Sequence, residues 1–136
     1  MAFTREGGYA MQNKKKIPLF TVEERVEMLQ EVTKDIPNVR IIPFKGLFID
    51  FAKETKSNAI VRGLRAVTDF EYELQIAQTN RKLSDGSLDT VFLTTSLEYA
   101  YLSSSSVKEI AAFNGDISQL VPDFVVDIVH NKLKNK

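Results

Sequence analysis

Three polar clusters in this chain carry the side chains that a phosphate-rich ligand needs. Lys14, Lys15 and Lys16 offer point charges. Arg62 and Arg65, separated by Gly63 and Leu64, offer guanidinium forks for bidentate contact. Ser103, Ser104 and Ser105 offer hydroxyls at a helix start, where backbone amides lack intrahelical partners. Each cluster also has a plainer reading, as a solvated lysine face, a turn or a helix cap. What joins them is position: each follows a predicted strand, and open parallel sheets bind ligands beyond the carboxyl ends of their strands. Other residues are weaker candidates. Glu71 and Glu73, on the helix after Arg65, could reach a ribose or hold Arg65. Phe44, Phe48 and Phe51 suit a core better than a pocket, and the single histidine, His130, lies in the final helix away from all three clusters.

The elements that must position these clusters follow from periodicity and punctuation. Met1 to Gly8 has no period, ends in two glycines and reads as a flexible or non-native start. Tyr9 to Gln12 closes a strand, and Asn13 to Pro18 forms a loop. Thr21-Val22-Glu23-Glu24 is a capping box, and Val22, Val26, Leu29 and Val32 line one face of a helix to about Lys34. The β-branched run Val39 to Ile42 predicts a strand, Pro43 to Gly46 a loop, Leu47 to Lys53 a helix and Ala59 to Val61 a short buried strand. Asp69 caps a long helix marked by Phe70, Leu74, Ala77 and Arg81, Asp85-Gly86 is a turn, and Thr90 to Leu93 is a strand. A helix from about Val107 to Phe113 stops at Asn114-Gly115, and Pro122 precedes the last helix. Strands alternating with helices predict an α/β fold, a Rossmann-like doubly wound parallel sheet in one domain spanning residues 1–136.

Composition narrows the function. With 136 residues, 43% of them hydrophobic, the chain suits one buried core. Eighteen basic residues balance eighteen acidic ones, so no overall field favours nucleic acid or an anionic membrane. The absence of cysteine excludes disulfides, a thiolate nucleophile and sulfur-ligated zinc, and one histidine cannot build a histidine-rich metal site. No apolar run reaches the ~20 residues that span a bilayer, so a cytoplasmic location is expected.

At the three clusters the sequence becomes specific. The run Ile60 to Glu73 (IVRGLRAVTDFEYE) closely resembles the adenine-nucleotide loop and helix of the phosphopantetheine adenylyltransferases. Ser103 to Glu109 resembles that family's serine-rich loop, Lys16 to Arg25 (KIPLFTVEER) its lysine loop, and Gly115-Asp116-Ile117 through Val121-Pro122 its ending. The likeness runs from about Tyr9 to the final helix. It implies a nucleotidyltransferase-type sheet and transfer of the adenylyl group of ATP to 4'-phosphopantetheine, giving dephospho-coenzyme A and pyrophosphate. Magnesium would be held mainly through the ATP phosphates, and no covalent intermediate is implied. By the same resemblance Lys16 would contact the phosphopantetheine phosphate or the transferring group, Arg62 would hold the phosphopantetheine side and Phe48 would lie beside the pantetheine arm. Gly63, Leu64 and Arg65 would follow ATP, with Glu73 in the same nucleotide site. Tyr99, Ala100, Tyr101, Leu102, Ser103, Ser104 and Ser105 would close over adenine, ribose and phosphates. Coenzyme A is implied as a further ligand, and a homo-oligomer, a hexamer, as the assembly.

The family pattern also opens with a strand and a phosphate-cradling Thr-x-Gly-His turn, whose histidine stabilises the transferring phosphoryl group. Met1 to Gly8 offers no Gly-His pair, so the expected sheet lacks its first strand and the helix after it. Two readings follow. One is an enzyme in which Lys16 acts without the histidine; the other is a nucleotide- or coenzyme-A-binding scaffold with no turnover. The specific loop after Arg62 speaks against a sister nucleotidyltransferase, and the balanced charge against a nucleic-acid module.

Overall fold

The computed structural model describes residues 2–4 and 7–9 as backbone and residues 18–65 and 70–134 with side chains. Ala2–Thr4 (β1) and Gly7–Tyr9 (β2) pair antiparallel, with Ala2 opposite Tyr9. Both segments fall largely in the stretch read from sequence as a flexible or non-native start; glycine lowers strand preference, but its amide and carbonyl still serve a ladder.

Helix α1 (Val22–Thr33) begins where the sequence places it. The Thr21 hydroxyl accepts from the Glu24 amide at 3.2 Å, and the Thr21 amide donates to the Glu24 carboxylate at 2.8 Å. Two of the otherwise unpaired amides at the helix start are thereby satisfied. The predicted strand over Val39 to Ile42 is reduced to one isolated bridge at Ile41. A β-branched run favours extended backbone, but it becomes a strand only where a neighbour supplies a ladder along its length.

Helix α2 (Phe48–Glu54) carries the aromatic core residues, and β3 (Ala59–Leu64) runs parallel to β4 (Asp89–Thr94). The register places Ala59 opposite Asp89, Arg62 opposite Phe92 and Leu64 opposite Thr94. Asp89 N to Asn58 O and Thr95 N to Leu64 O, both 3.0 Å, extend the ladder at its two ends. β3 is therefore longer than its apolar core Ala59 to Val61: Arg62, Gly63 and Leu64 lie within the strand, because β4 supplies backbone partners beyond the apolar run. Helix α3 (Phe70–Leu83) connects the two strands, the βαβ arrangement that parallel pairing requires. The predicted Asp69 cap lies outside the described residues.

A short 3-10 turn over Leu97–Tyr99 leads to α4 (Ser104–Ala112), and α5 (Asp123–Lys134) closes the chain. α4 starts three residues before the predicted Val107, since Ser103 accepts from the Ser106 amide at 3.1 Å and lets the serines enter the first turn. Helices α2, α3 and α4 end alike. Lys56, Asp85 and Asn114 adopt φ of 54°, 51° and 56°. Behind them the amides of Ser57, Gly86 and Gly115 reach back to the carbonyls of Ala52, Arg81 and Ile110 at 2.8–2.9 Å, the Schellman pattern.

Among the described residues apolar packing gathers in two places. Phe48, Phe51 and Ala52 of α2 pack on Ile60 of β3 and on Leu88, with Ile42 and Phe44 at the margin. Val107 and Ala111 of α4 and Val129 of α5 surround Ile117, with Phe20 and Leu133 packed outside. The first group anchors the amino half of β3, and the second anchors the serine-led helix.

Candidate active site

Arg62, at the fourth position of β3, is half-buried and paired with Glu73 of α3. Its Nε donates to Glu73 Oε2 at 2.8 Å and its Nη2 to Oε1 at 2.6 Å. Glu73 was expected either at a ribose or on Arg65; its carboxylate instead grips the other arginine. The pair ties β3 to α3. Phe92, opposite Arg62 on β4, meets Phe70 of α3 edge to face with centroids 5.9 Å apart, which secures the same helix against the sheet.

Arg65 follows the strand and donates through Nη1 to the backbone carbonyl of Leu102. This bond brings the arginine turn against the serine loop, as the sequence argument requires of two clusters in one site. Ser103 caps α4 and its hydroxyl lies 2.7 Å from that of Ser106. The Ser106 amide is bonded to Ser103 Oγ and the Val107 amide to the Ser103 carbonyl, while the amides of Ser104 and Ser105, in the first turn, have no intrahelical partner and lie at the positive end of the helix.

The lid expected over a nucleotide has mixed exposure. Ala100 is buried and Leu102 half-buried, while Tyr99 and Tyr101 stand out, Tyr101 at 74% exposure. Gly63 has ordinary backbone angles, and a Cβ built on it would meet no atom within 4 Å. Leu64, beside it, is half-buried. Phe48 sits at 9% exposure inside the α2 core with Phe51, so its contacts here are those of a packing residue. Lys16 lies outside the described residues. Among the described residues no group of three or more histidine, aspartate or glutamate side chains is placed to hold a metal ion. No helix of the described residues is long and apolar enough to cross a membrane.

Sequence reasoning missed two members of this arrangement. Phe92 carried a signal, since alternation along Thr90 to Leu93 puts it on the same face as Thr90, but nothing marked it as the partner of Phe70. The Arg65 bond to Leu102 had no signal at all, because its acceptor is a backbone carbonyl.

Residues 8–110, which include the parallel βαβ unit and its strand-end arginines, match the cytidylyltransferase-like family model, which places the chain among the nucleotidyltransferases. Relatives refine the placement. The chain is 59% identical over 126 residues to a phosphopantetheine adenylyltransferase of Lachnoclostridium phytofermentans, covering 93% of this chain and 77% of that protein. It is 53% identical to that of Caldanaerobacter subterraneus subsp. tengcongensis, covering 90% and 76%, and 53% identical to that of Thermodesulfovibrio yellowstonii, covering 92% and 77%. The chain belongs to the phosphopantetheine adenylyltransferases.

Proposed function

We propose that the chain transfers the adenylyl group of ATP to 4'-phosphopantetheine, a step of coenzyme A synthesis, at the carboxyl ends of β3 and β4. The observation that carries this assignment is the Arg65 bond to Leu102, which joins the arginine turn to the serine loop. In the reaction a phosphate oxygen of phosphopantetheine forms a bond to the α-phosphorus as the bond to pyrophosphate breaks, in line. The chain's task is to hold two anions together and to offset the charge that spreads over the transition state. Arg62 would take the phosphopantetheine phosphate and Lys16 the transferring group. Arg65 and the amides of Ser104 and Ser105 would take ATP phosphates, and Tyr99 to Leu102 would cover the base.

Magnesium fits this set only as a companion of ATP, since the described residues supply phosphate ligands and no carboxylate cage. When bound, the ion would offset phosphate charge. Coenzyme A shares the pantetheine and nucleotide parts and would occupy the same cleft. Association between copies is supported by the exposed apolar side chains Val91, Leu93 and Phe113, the last at 84% exposure.

The deciding assay is pyrophosphate release from ATP, 4'-phosphopantetheine and magnesium, run beside calorimetric binding of each substrate. Turnover that disappears in Lys16→Ala is the expected result. Tight binding of both substrates with no release would make the chain a coenzyme-binding member of the family, and failure to bind either would sink the assignment.

A further inference from the structure

We propose that a second ligand site lies at the amino ends of β3 and β4, built to take a small organic anion with an apolar tail. A cavity of about 260 Å³ opens there, between the end of α2 and the turn that follows α3. Ile49, Ala52 and Leu88, all buried, make its floor. Lys53, Lys56 and Asn58 stand around it and are exposed. β3 spans six residues, at about 3.3 Å each, so the cavity lies roughly 20 Å from the strand end that Arg65 follows. A ligand held here would not meet one held by the arginines and the serine loop.

The ligand's chemistry follows from which polar groups are already engaged. Ser84 donates to the Arg81 carbonyl at 3.0 Å and accepts from the Leu88 amide at 3.1 Å, and Ser87 donates to the Ser84 carbonyl at 2.7 Å. Both hydroxyl protons are thus held within the turn. The ammonium groups of Lys53 and Lys56 and the side-chain amide of Asn58 have no partner among the described residues, and no acidic side chain among them lines the cavity. Two ammonium groups and an amide N–H recognise an anion. The ends of α2 and α3 meet here and would oppose one through their free carbonyls, but the Ala52 and Arg81 carbonyls are already taken by the amides of Ser57 and Gly86 at 2.8 Å. The apolar floor calls for a hydrocarbon tail, and the volume, just under the ~300–1,000 Å³ of drug-sized pockets, admits one of a few carbons. Lys56 is the second observation. Lys53, in the last turn of α2, has a plainer role against the negative end of that helix. Lys56 lies beyond the helix with φ of 54°, where glycine would be free of strain, so a helix ending gains nothing from lysine. What the side chain does supply is a cation at the mouth of the cavity, and strain kept at such a position points to use.

The test titrates hexanoate into the full, isotope-labelled chain and follows its amide resonances. Those of Ile49, Ala52 and Leu88 should shift, with a dissociation constant on the order of 1 mM, the range open to so small a ligand. Hexanol, which has the tail without the charge, and inorganic phosphate, which has charge without a tail, should each bind at least about tenfold more weakly. Lys56→Gly should weaken hexanoate by roughly tenfold in a chain at least as stable as wild type, so the loss cannot come from unfolding. Adding Lys53→Met should weaken it further. ATP should leave the hexanoate affinity unchanged. Equal responses to hexanol and hexanoate, or unchanged affinity in both lysine variants, would overturn the proposal. Displacement of hexanoate by ATP would overturn it too, by putting the probe at the other end of the strands. Resonances of all three floor residues that stay fixed at roughly 10 mM hexanoate would show that the cavity takes no such ligand.

Discussion

Arg65 and Leu102 lie 37 residues apart in sequence, yet the guanidinium of the first donates to the backbone carbonyl of the second. The contact is exposed, so its value lies in placing the serine loop, and its contribution to stability is small. Arg65→Ala should change stability by no more than about 0.5 kcal/mol, as surface substitutions usually do. It should raise the KM for ATP by roughly tenfold, the loss of one charge-assisted contact, with little change in that for phosphopantetheine. Steady-state kinetics with each substrate varied in turn separates the two; an equal rise in both would place Arg65 elsewhere than on the nucleotide.

Gly63 offers a cleaner separation of folding from binding. Its φ needs no glycine, and the space a methyl group would fill is open. Glycine inside a strand costs about 0.5–1 kcal/mol relative to alanine, so Gly63→Ala should leave the Tm unchanged or raise it. If ATP runs along this strand end, the same methyl group stands in its path, and ATP affinity should fall by an order of magnitude or more. A variant both more stable and equally able to bind ATP would show that nothing approaches the strand at this point.

These cases show which parts of the site can be read from sequence. The start of helix α1 was legible to the residue because its signals are local: Thr21 and Glu24 satisfy each other across one turn. The pairing of β3 with β4 was legible in kind but not in length, since Arg62 to Leu64 become strand only through partners on β4. Val39 to Ile42 is strand-like in composition, yet among the described residues it shows only the single bridge at Ile41. In the site, residue types pointed to a phosphate ligand at Arg62, Arg65 and the serines, and the structure brings Arg65 against the serine loop. Which carboxylate holds which arginine did not follow. Glu73 is near both in sequence, and only the fold decides that its carboxylate meets Arg62 on the strand.

Lys56 tests the helix-ending argument. Of the three left-handed residues, Asp85 and Asn114 are types that tolerate φ near 55°, whereas lysine pays the full Cβ penalty. Lys56→Gly should therefore stabilise the chain, by up to about 1 kcal/mol after the entropy that glycine adds to the unfolded state. Gly115→Ala should do the opposite. A Cβ there would lie 2.6 Å from a methyl carbon of Ile110 and 3.0 Å from its carbonyl oxygen, so the α4 ending must shift, at roughly 1–3 kcal/mol. Urea denaturation of both variants checks the two signs together.

Glu24 links the first helix to the last, and the link should be visible in acid. Lys132 Nζ lies 2.5 Å from Glu24 Oε1, while Oε2 accepts from the Thr21 amide. The lysine contact first, and the amide second, hold the Glu24 carboxyl below its ordinary value of 4.5. A carboxyl whose folded value is depressed binds its proton more weakly in the folded than in the unfolded chain. Its stabilising effect is complete above the unfolded value and fades as the pH falls below about 4.5 and through the folded one. Lys132→Met removes the larger cause while keeping most of the apolar stem. At about pH 7 and low salt the variant should melt a few degrees below wild type at most, because the pair is half exposed and screened. As the pH falls from 4.5 through the lowered folded value the two melting curves should approach each other, since protonated Glu24 no longer rewards the lysine. A gap that keeps its full size in acid would mean that Lys132 acts through packing of its methylenes, and that the charge pair between α1 and α5 adds nothing to the fold.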